Sequence, residues 1–274
     1  MPDVARFREL HASGCFLLPN PWDIGSAVFL ERLGFKALAT TSAGFAFSRG
    51  LPDSIRAVPR DLMLAHLRDI AEATTLPVHA DFQSGYADDP EALAANVKLC
   101  VETGVSGLSI EDATGDDATP LYARSEAIER IEAARSAIDA TGSGVLLTAR
   151  CEAYLVDHPE PFRTAVDRLA AFAAAGADCL FAPGVREPKE IRAMVEALAP
   201  KPVNVLVSAP SMSLNLASLA ALGVRRVSVG AALARVAWGA FMKASQSIAA
   251  TGSFDALDGA ARFDELNAIF DERT

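Results

Sequence analysis

From Cys15 to Gly230 the chain repeats a single unit, a short apolar run followed by a segment of helical period. The runs read as strands at 15–18, 37–40, 107–112, 145–150, 179–183, 203–208 and 226–230, with one more opening the stretch 78–86. The segments between them read as helices at 24–30, 59–73, 89–103, 125–141, 160–175, 188–199 and 213–222, with a last one from Ala231. Gly34, Gly104, Gly142, Gly176 and Gly223 stand where helix C-caps are needed. Eight strands, each followed by a helix, predict an α/β fold, a (β/α)8 TIM barrel whose site lies at the carboxyl ends of the strands. The 274 residues fit one such domain. Residues 231–274 are too many for one closing helix. They predict an extra C-terminal helical element near 254–271, packed on a neighbouring subunit.

The strand ends hold the chemistry. In Val78-His79-Ala80-Asp81-Phe82-Gln83 a period of two puts His79, Asp81 and Gln83 on one face, with Asp81 at the strand's carboxyl end. The next strand ends in Glu111-Asp112. Neighbouring strands that finish in carboxylates make an oxygen-rich site suited to Mg²⁺ or Mn²⁺, and equally serve as helix caps and surface acids. Arg150 closes the fifth strand, where a guanidinium can grip a carboxylate or phosphonate, or pair with Glu111 or Glu152. Small residues at Thr41-Ser42-Ala43-Gly44 leave backbone N–H groups able to face an anion, ahead of a long loop from Phe45 to Val58. Asp23 reads as a helix N-cap, and Trp22 as a pocket wall or core residue.

Other chemistries are disfavoured. None of the five lysines stands at a strand end to form a Schiff base, and His79, the one histidine in a strand, reads as an interior side chain. The four cysteines show no CxxC spacing. A net charge of −10 argues against nucleic acid and anionic membranes. No apolar run approaches the ~18 residues of a membrane span, and the amino terminus lacks a signal-peptide core, so a cytoplasmic location is expected.

Asn20-Pro21-Trp22-Asp23, Thr40-Thr41-Ser42-Ala43-Gly44, Gly50-Leu51-Pro52-Asp53, Ala80-Asp81 with Gly85-Tyr86, Ile110-Glu111-Asp112 and Ala149-Arg150 together resemble the isocitrate lyase/phosphoenolpyruvate mutase superfamily. The resemblance implies a Mg²⁺-dependent barrel that makes or breaks a C–C or P–C bond beside a 2-oxo acid through an enolpyruvate-like intermediate. It implies Asp81 as direct metal ligand, with Glu111 and Gln83 completing the metal set, and Asp53 and Arg150 as catalytic residues. Trp22, Thr41, Ser42, Ala43, Arg150 and Asn204 would contact a small 2-oxo acid. A homotetramer that exchanges its final helix is implied as well.

The departures narrow this. The second acid of the family's metal set is Gln83 here, and residues 113–122 lack the Lys-Arg-Cys-Gly-His loop that supplies the lyases' acid/base cysteine. The expectation is therefore a lyase or hydrolase of a compact 2-oxo acid rather than a true isocitrate or methylisocitrate lyase. The alternatives are a phosphonomutase-like isomerase and a non-catalytic 2-oxo acid binder.

Overall fold

In the computed structural model, residues 3–55, 57–210 and 214–271 are described. The apolar runs form β1 (Phe16–Leu18), β2 (Leu38–Ala39), β3 (Val78–Asp81), β4 (Gly107–Glu111), β5 (Leu146–Arg150), β6 (Cys179–Phe181), β7 (Val203–Leu206) and β8 (Arg226–Ser228). Around them lie α1 (Val4–Ala12), α2 (Ile24–Arg32), α3 (Ser42–Ser48), α4 (Arg60–Glu72), α5 (Pro90–Val101), α6 (Arg124–Thr141), α7 (Pro161–Ala174), α8 (Pro188–Leu198), α9 (Leu216–Ala221), α10 (Ala232–Thr251) and α11 (Phe263–Phe270). Prolines open α5, α7 and α8, where a missing N–H costs nothing. Gly142 ends α6 in the left-handed conformation, φ +65°, which a side chain would strain.

All strand pairs are parallel, in the order β1-β8-β7-β6-β5-β4-β3-β2. The barrel is nearly closed. Pro19 has no N–H to offer, so the seam between β1 and β2 rests on few bonds. Ala39 N donates to Pro19 O at 3.0 Å, and Asn20 Nδ2 donates to Thr40 O at 2.9 Å. Asn20 Oδ1 accepts from Val229 N and Gly230 N on the far side. One side chain thus ties the ends of β8, β1 and β2.

The main core lies between strands and helices, where Val78, Ala80 and Phe82 point. A smaller cluster joins Phe7 of α1 to Phe16, Leu18, Ala37, Ala39 and Leu146. Phe7 of α1 is fully buried there, a contribution of about 2–3 kcal/mol from area alone.

Two expectations are corrected. The 41–44 turn and the first part of the 45–58 loop are the helix α3, because the Thr41 hydroxyl caps Gly44 N and Phe45 and Ala46 bury one side. The buried stripe of α4 runs through Met63, Leu64, His66, Leu67 and Ile70, leaving Ala65 exposed. The expected helix 213–222 begins at a residue outside the described ones. Beyond the barrel, α11 folds back on α2, where Arg32 Nη1 donates to Ala268 O and Ile269 O, both at 2.7 Å. Of α10 only Ala234 is buried, and Trp238, Phe241, Phe254 and Phe263 are exposed on the single chain. None of the described helices is long and apolar enough to cross a membrane.

Candidate active site

A cavity of about 660 Å³ opens at the carboxyl ends of the strands. Parallel register brings its acids together, since Asp81 pairs with Ser109 and Glu111 with Arg150 on adjacent strands. Asp81 Oδ2 accepts from Ser42 N at 2.9 Å and Ser42 Oγ at 2.7 Å. The N-terminus of α3 therefore faces this carboxylate, a favourable pairing of helix dipole and anion. The Ser42 N–H expected to receive a substrate carboxylate is engaged by Asp81.

Arg150 sits at the centre of the acids. Its Nε and Nη2 both donate to Glu152, the second at 3.1 Å, and its Nη1 lies 3.2 Å from Glu111 Oε2 and 3.4 Å from Asp81 Oδ1. Burial opposes the Arg150 charge, but Glu152, Glu111 and Asp81 outweigh it and keep the guanidinium protonated. Burial also dominates at Glu111, pushing its carboxyl up to about 8 against the pull of Arg150. Asp112, by contrast, is structural: it accepts from Glu152 N at 2.8 Å and pairs with Arg168 at 3.0 Å.

With Asp81, Glu111 and Glu152 all ionised, one guanidinium leaves a formal charge of −2, which a divalent cation would neutralise; without an ion, burial favours the protonated form of Glu111. Gln83 lies in the turn after β3 with φ +47°, and its buried Oε1 has no hydrogen-bond partner. An orphaned oxygen beside buried carboxylates fits a hard, water-carrying ion. Among the described residues no three His, Cys, Asp or Glu side chains form a ready ligand set. Mg²⁺ commonly takes one or two carboxylates and keeps several waters, so Asp81, Glu111 and Gln83 remain a fitting set.

Of the other expected residues, Thr41, Ser42, Ala43 and Asp53 line the cavity. Partial burial and the Asp81 charge raise the Asp53 carboxyl, with Arg150 opposing. Asn204 lines it too, but both ends of its amide are engaged, Nδ2 by Ser228 Oγ and Oδ1 by Arg226 Nε. Trp22 does not reach it. Its side chain borders a separate apolar groove with Trp238 and Phe241, because the capped start of α2 at Asp23 turns the chain away from the strand ends.

Glu152 and Arg226 are the lining residues that sequence reasoning underused. Glu152 stands two residues beyond Arg150, just past the end of β5, and enters the sequence reading only as an ion-pair partner of Arg150, while Arg226 interrupts an apolar strand with a charge. In the 113–122 segment, Tyr122 is buried away from the cavity, its hydroxyl donating to Asp88 at 3.1 Å beneath Arg130. Asp116 accepts from Ala118 N and Thr119 Oγ1 within its own loop.

The family model described as phosphoenolpyruvate phosphomutase matches residues 7–249. A solved structure of a putative lyase/mutase from Burkholderia cenocepacia J2315 superposes with a TM-score of 0.92 at 46% identity, covering 97% of this chain and 95% of that one. Oxaloacetate decarboxylase of Rhodopseudomonas palustris (strain BisB5) is 29% identical over 95% of this chain and 89% of its own. 2-Methylisocitrate lyase of Escherichia coli (strain K12) is 29% identical over 63% of this chain and 58% of its own. With the eight-stranded parallel barrel and the acidic strand ends, these matches show that the chain belongs to the phosphoenolpyruvate phosphomutase family, within the isocitrate lyase/phosphoenolpyruvate mutase superfamily.

Proposed function

We propose that this chain is a divalent-metal-dependent lyase or hydrolase that cleaves the C–C or P–C bond beside a small 2-oxo carboxylate. The observation that carries the reading is the acid-rich cluster of Asp81, Glu111 and Glu152 around the single Arg150, beside the orphaned Gln83 Oε1. Asp81 and Glu111 would hold Mg²⁺ or Mn²⁺, with Gln83 orienting a water of the site. The ion would supply electrophilic stabilisation of the enolate that cleavage generates.

The chain's own groups divide the remaining work. Arg150, held flat by Glu152, is positioned to bind an oxyanion through Nη1, the nitrogen not committed to Glu152. Of the first N–H groups of α3, Ser42 N is engaged by Asp81 and Gly44 N by the Thr41 hydroxyl, which leaves Ala43 N to meet the oxo-acid carboxylate. Asp53 lines the cavity with a raised carboxyl, suited to holding a proton. Residues 113–122 offer no cysteine, lysine or histidine as a proton source for a released carbanion. Decarboxylation, or attack by water on a phosphonate, asks less of that loop than cleavage of a tricarboxylate does.

The test is a Mg²⁺-supplemented screen of oxaloacetate, phosphonopyruvate and 2-methylisocitrate, with pyruvate read in every arm and phosphate or succinate as co-product. Oxaloacetate or phosphonopyruvate is the expected substrate. Efficient succinate release from 2-methylisocitrate would overturn the compact-substrate reading. The phosphomutase family match favours one second reading, an isomerase, which would convert phosphonopyruvate to an enol phosphate without releasing pyruvate.

A further inference from the structure

Beneath the acidic strand ends, the barrel interior carries a positive charge with no acid beside it. Arg226 opens β8 and is 2% exposed, yet it borders the same cavity. Its Nε donates to Asn204 Oδ1 at 2.9 Å and its Nη2 to Thr148 Oγ1 at 3.1 Å, while Nη1 lies 3.4 Å from His11 Nε2. His11 Nδ1 lies 2.7 Å from Phe7 O and so carries the ring proton, which leaves Nε2 as the acceptor facing Arg226. Burial keeps His11 neutral, holding its pKa down to about 3.

All three partners of the guanidinium are therefore uncharged, and none of the described carboxylates forms an ion pair with it. Burial pulls the Arg226 pKa below the ordinary arginine range, and no carboxylate opposes that pull. A guanidinium has five N–H donors, so three contacts leave two unused. The lining beside it is polar as well. Asn204 Nδ2 donates to Ser228 Oγ, which frees the Ser228 hydroxyl proton. His79 is 4% exposed and its Nδ1 has no partner. Barrel interiors are ordinarily filled by bulky branched side chains. A buried charge surrounded by spare donors is costly unless a counter-ion joins it.

We propose that this floor is an anion subsite, distinct from the metal site above it, that takes one small monovalent anion, either a halide or a one-carbon carboxylate. The two unused N–H groups of Arg226 and the Ser228 hydroxyl are its donors. Leu18, the β1 partner of Ser228, and Ala39 line the same cavity and bring no side-chain charge to it.

The experiment uses the full chain in EDTA at constant ionic strength, with potassium gluconate replaced stepwise by bromide, chloride or formate. A saturable rise in melting temperature of about 2–4 °C is expected for the small anions and not for gluconate. A halide-only or formate-only response identifies which source the site takes. Crystals grown in bromide should show an anomalous peak within hydrogen-bonding reach of the Arg226 guanidinium, and Arg226→Met should abolish the melting response. If that variant does not fold, the diffraction arm on the unaltered chain decides. Water alone beside Arg226, bromide bound without a melting response, or an undiminished response in Arg226→Met overturns the proposal.

Discussion

Gln83→Glu tests the metal set with two readouts of opposite sign. The substitution is nearly isosteric and replaces a buried, unpartnered amide oxygen with a carboxylate. Without an ion it adds a fourth acid to a cluster that holds one guanidinium. For unit charges about 4 Å apart at an effective dielectric constant of about 20, each interaction is worth about 4 kcal/mol, and it weakens with distance. Arg150 and protonation of the new acid offset much of this, so a net loss of about 1–3 kcal/mol is expected in EDTA. With Mg²⁺ present the same charge becomes attractive. Outer-sphere groups shift metal affinity by about 10–100-fold, and tightening within that range is expected. The assays are a calorimetric Mg²⁺ titration and melting curves in EDTA and in excess Mg²⁺. The variant should melt lower than the unaltered chain in EDTA and gain more from the ion. Unchanged affinity together with an unchanged melting point in EDTA would refute the placement of Gln83 beside the ion.

Asp81→Ala should abolish Mg²⁺ binding and activity while costing only about 1–3 kcal/mol of stability, from the stranded Ser42 donors, as checked by calorimetry and urea unfolding. Glu152→Gln should lower stability by about 1–3 kcal/mol and raise KM, because Arg150 loses the two-point contact that holds it flat while Glu111 and Asp81 still balance its charge; denaturation and steady-state kinetics read the two effects. Burial lowers His11 to about 3 and His66 to about 4, so both stay neutral in the fold and take up protons on unfolding. Their contribution is complete above the unfolded value near 6.5 and is lost as pH falls toward the folded values. At pH 5 each should cost about 2 kcal/mol, and His66→Phe, which keeps the stack on Phe45, should flatten the stability slope between pH 7 and pH 5. The exposed Trp238, Phe241 and Phe254 beyond the barrel predict a homo-oligomer, a tetramer by the family resemblance, and sedimentation as a monomer at micromolar concentration would refute it.

Much of the fold was legible in the sequence because the repeat is local. Apolar runs of strand length, helical periods and glycine caps lie within a few residues of one another, and each element forms from its own neighbours. The inward face of Asp81 followed from a period of two, and the carboxyl-end rule for barrels brought in Glu111 and Arg150; Gln83 lines the cavity from the turn beyond β3, where that period no longer applies. Pairings that depend on the third dimension were not legible. That Ser42 serves Asp81 and that α11 lies on α2 join segments far apart in the chain, whereas the Arg150–Glu152 pair, two residues apart, was among the pairings the sequence itself offered. Trp22 shows the same limit: its motif pointed to the site, but the capped start of α2 directs the ring elsewhere. Arg226 is the sharpest case. Sequence shows a charge in an apolar strand, and only closure of the barrel, which puts Asn204, Thr148 and His11 around it, decides that the charge has no acid partner. Periodicity tells which face of a strand a residue occupies, whereas the barrel's tilt and stagger decide which residues from other strands share its level.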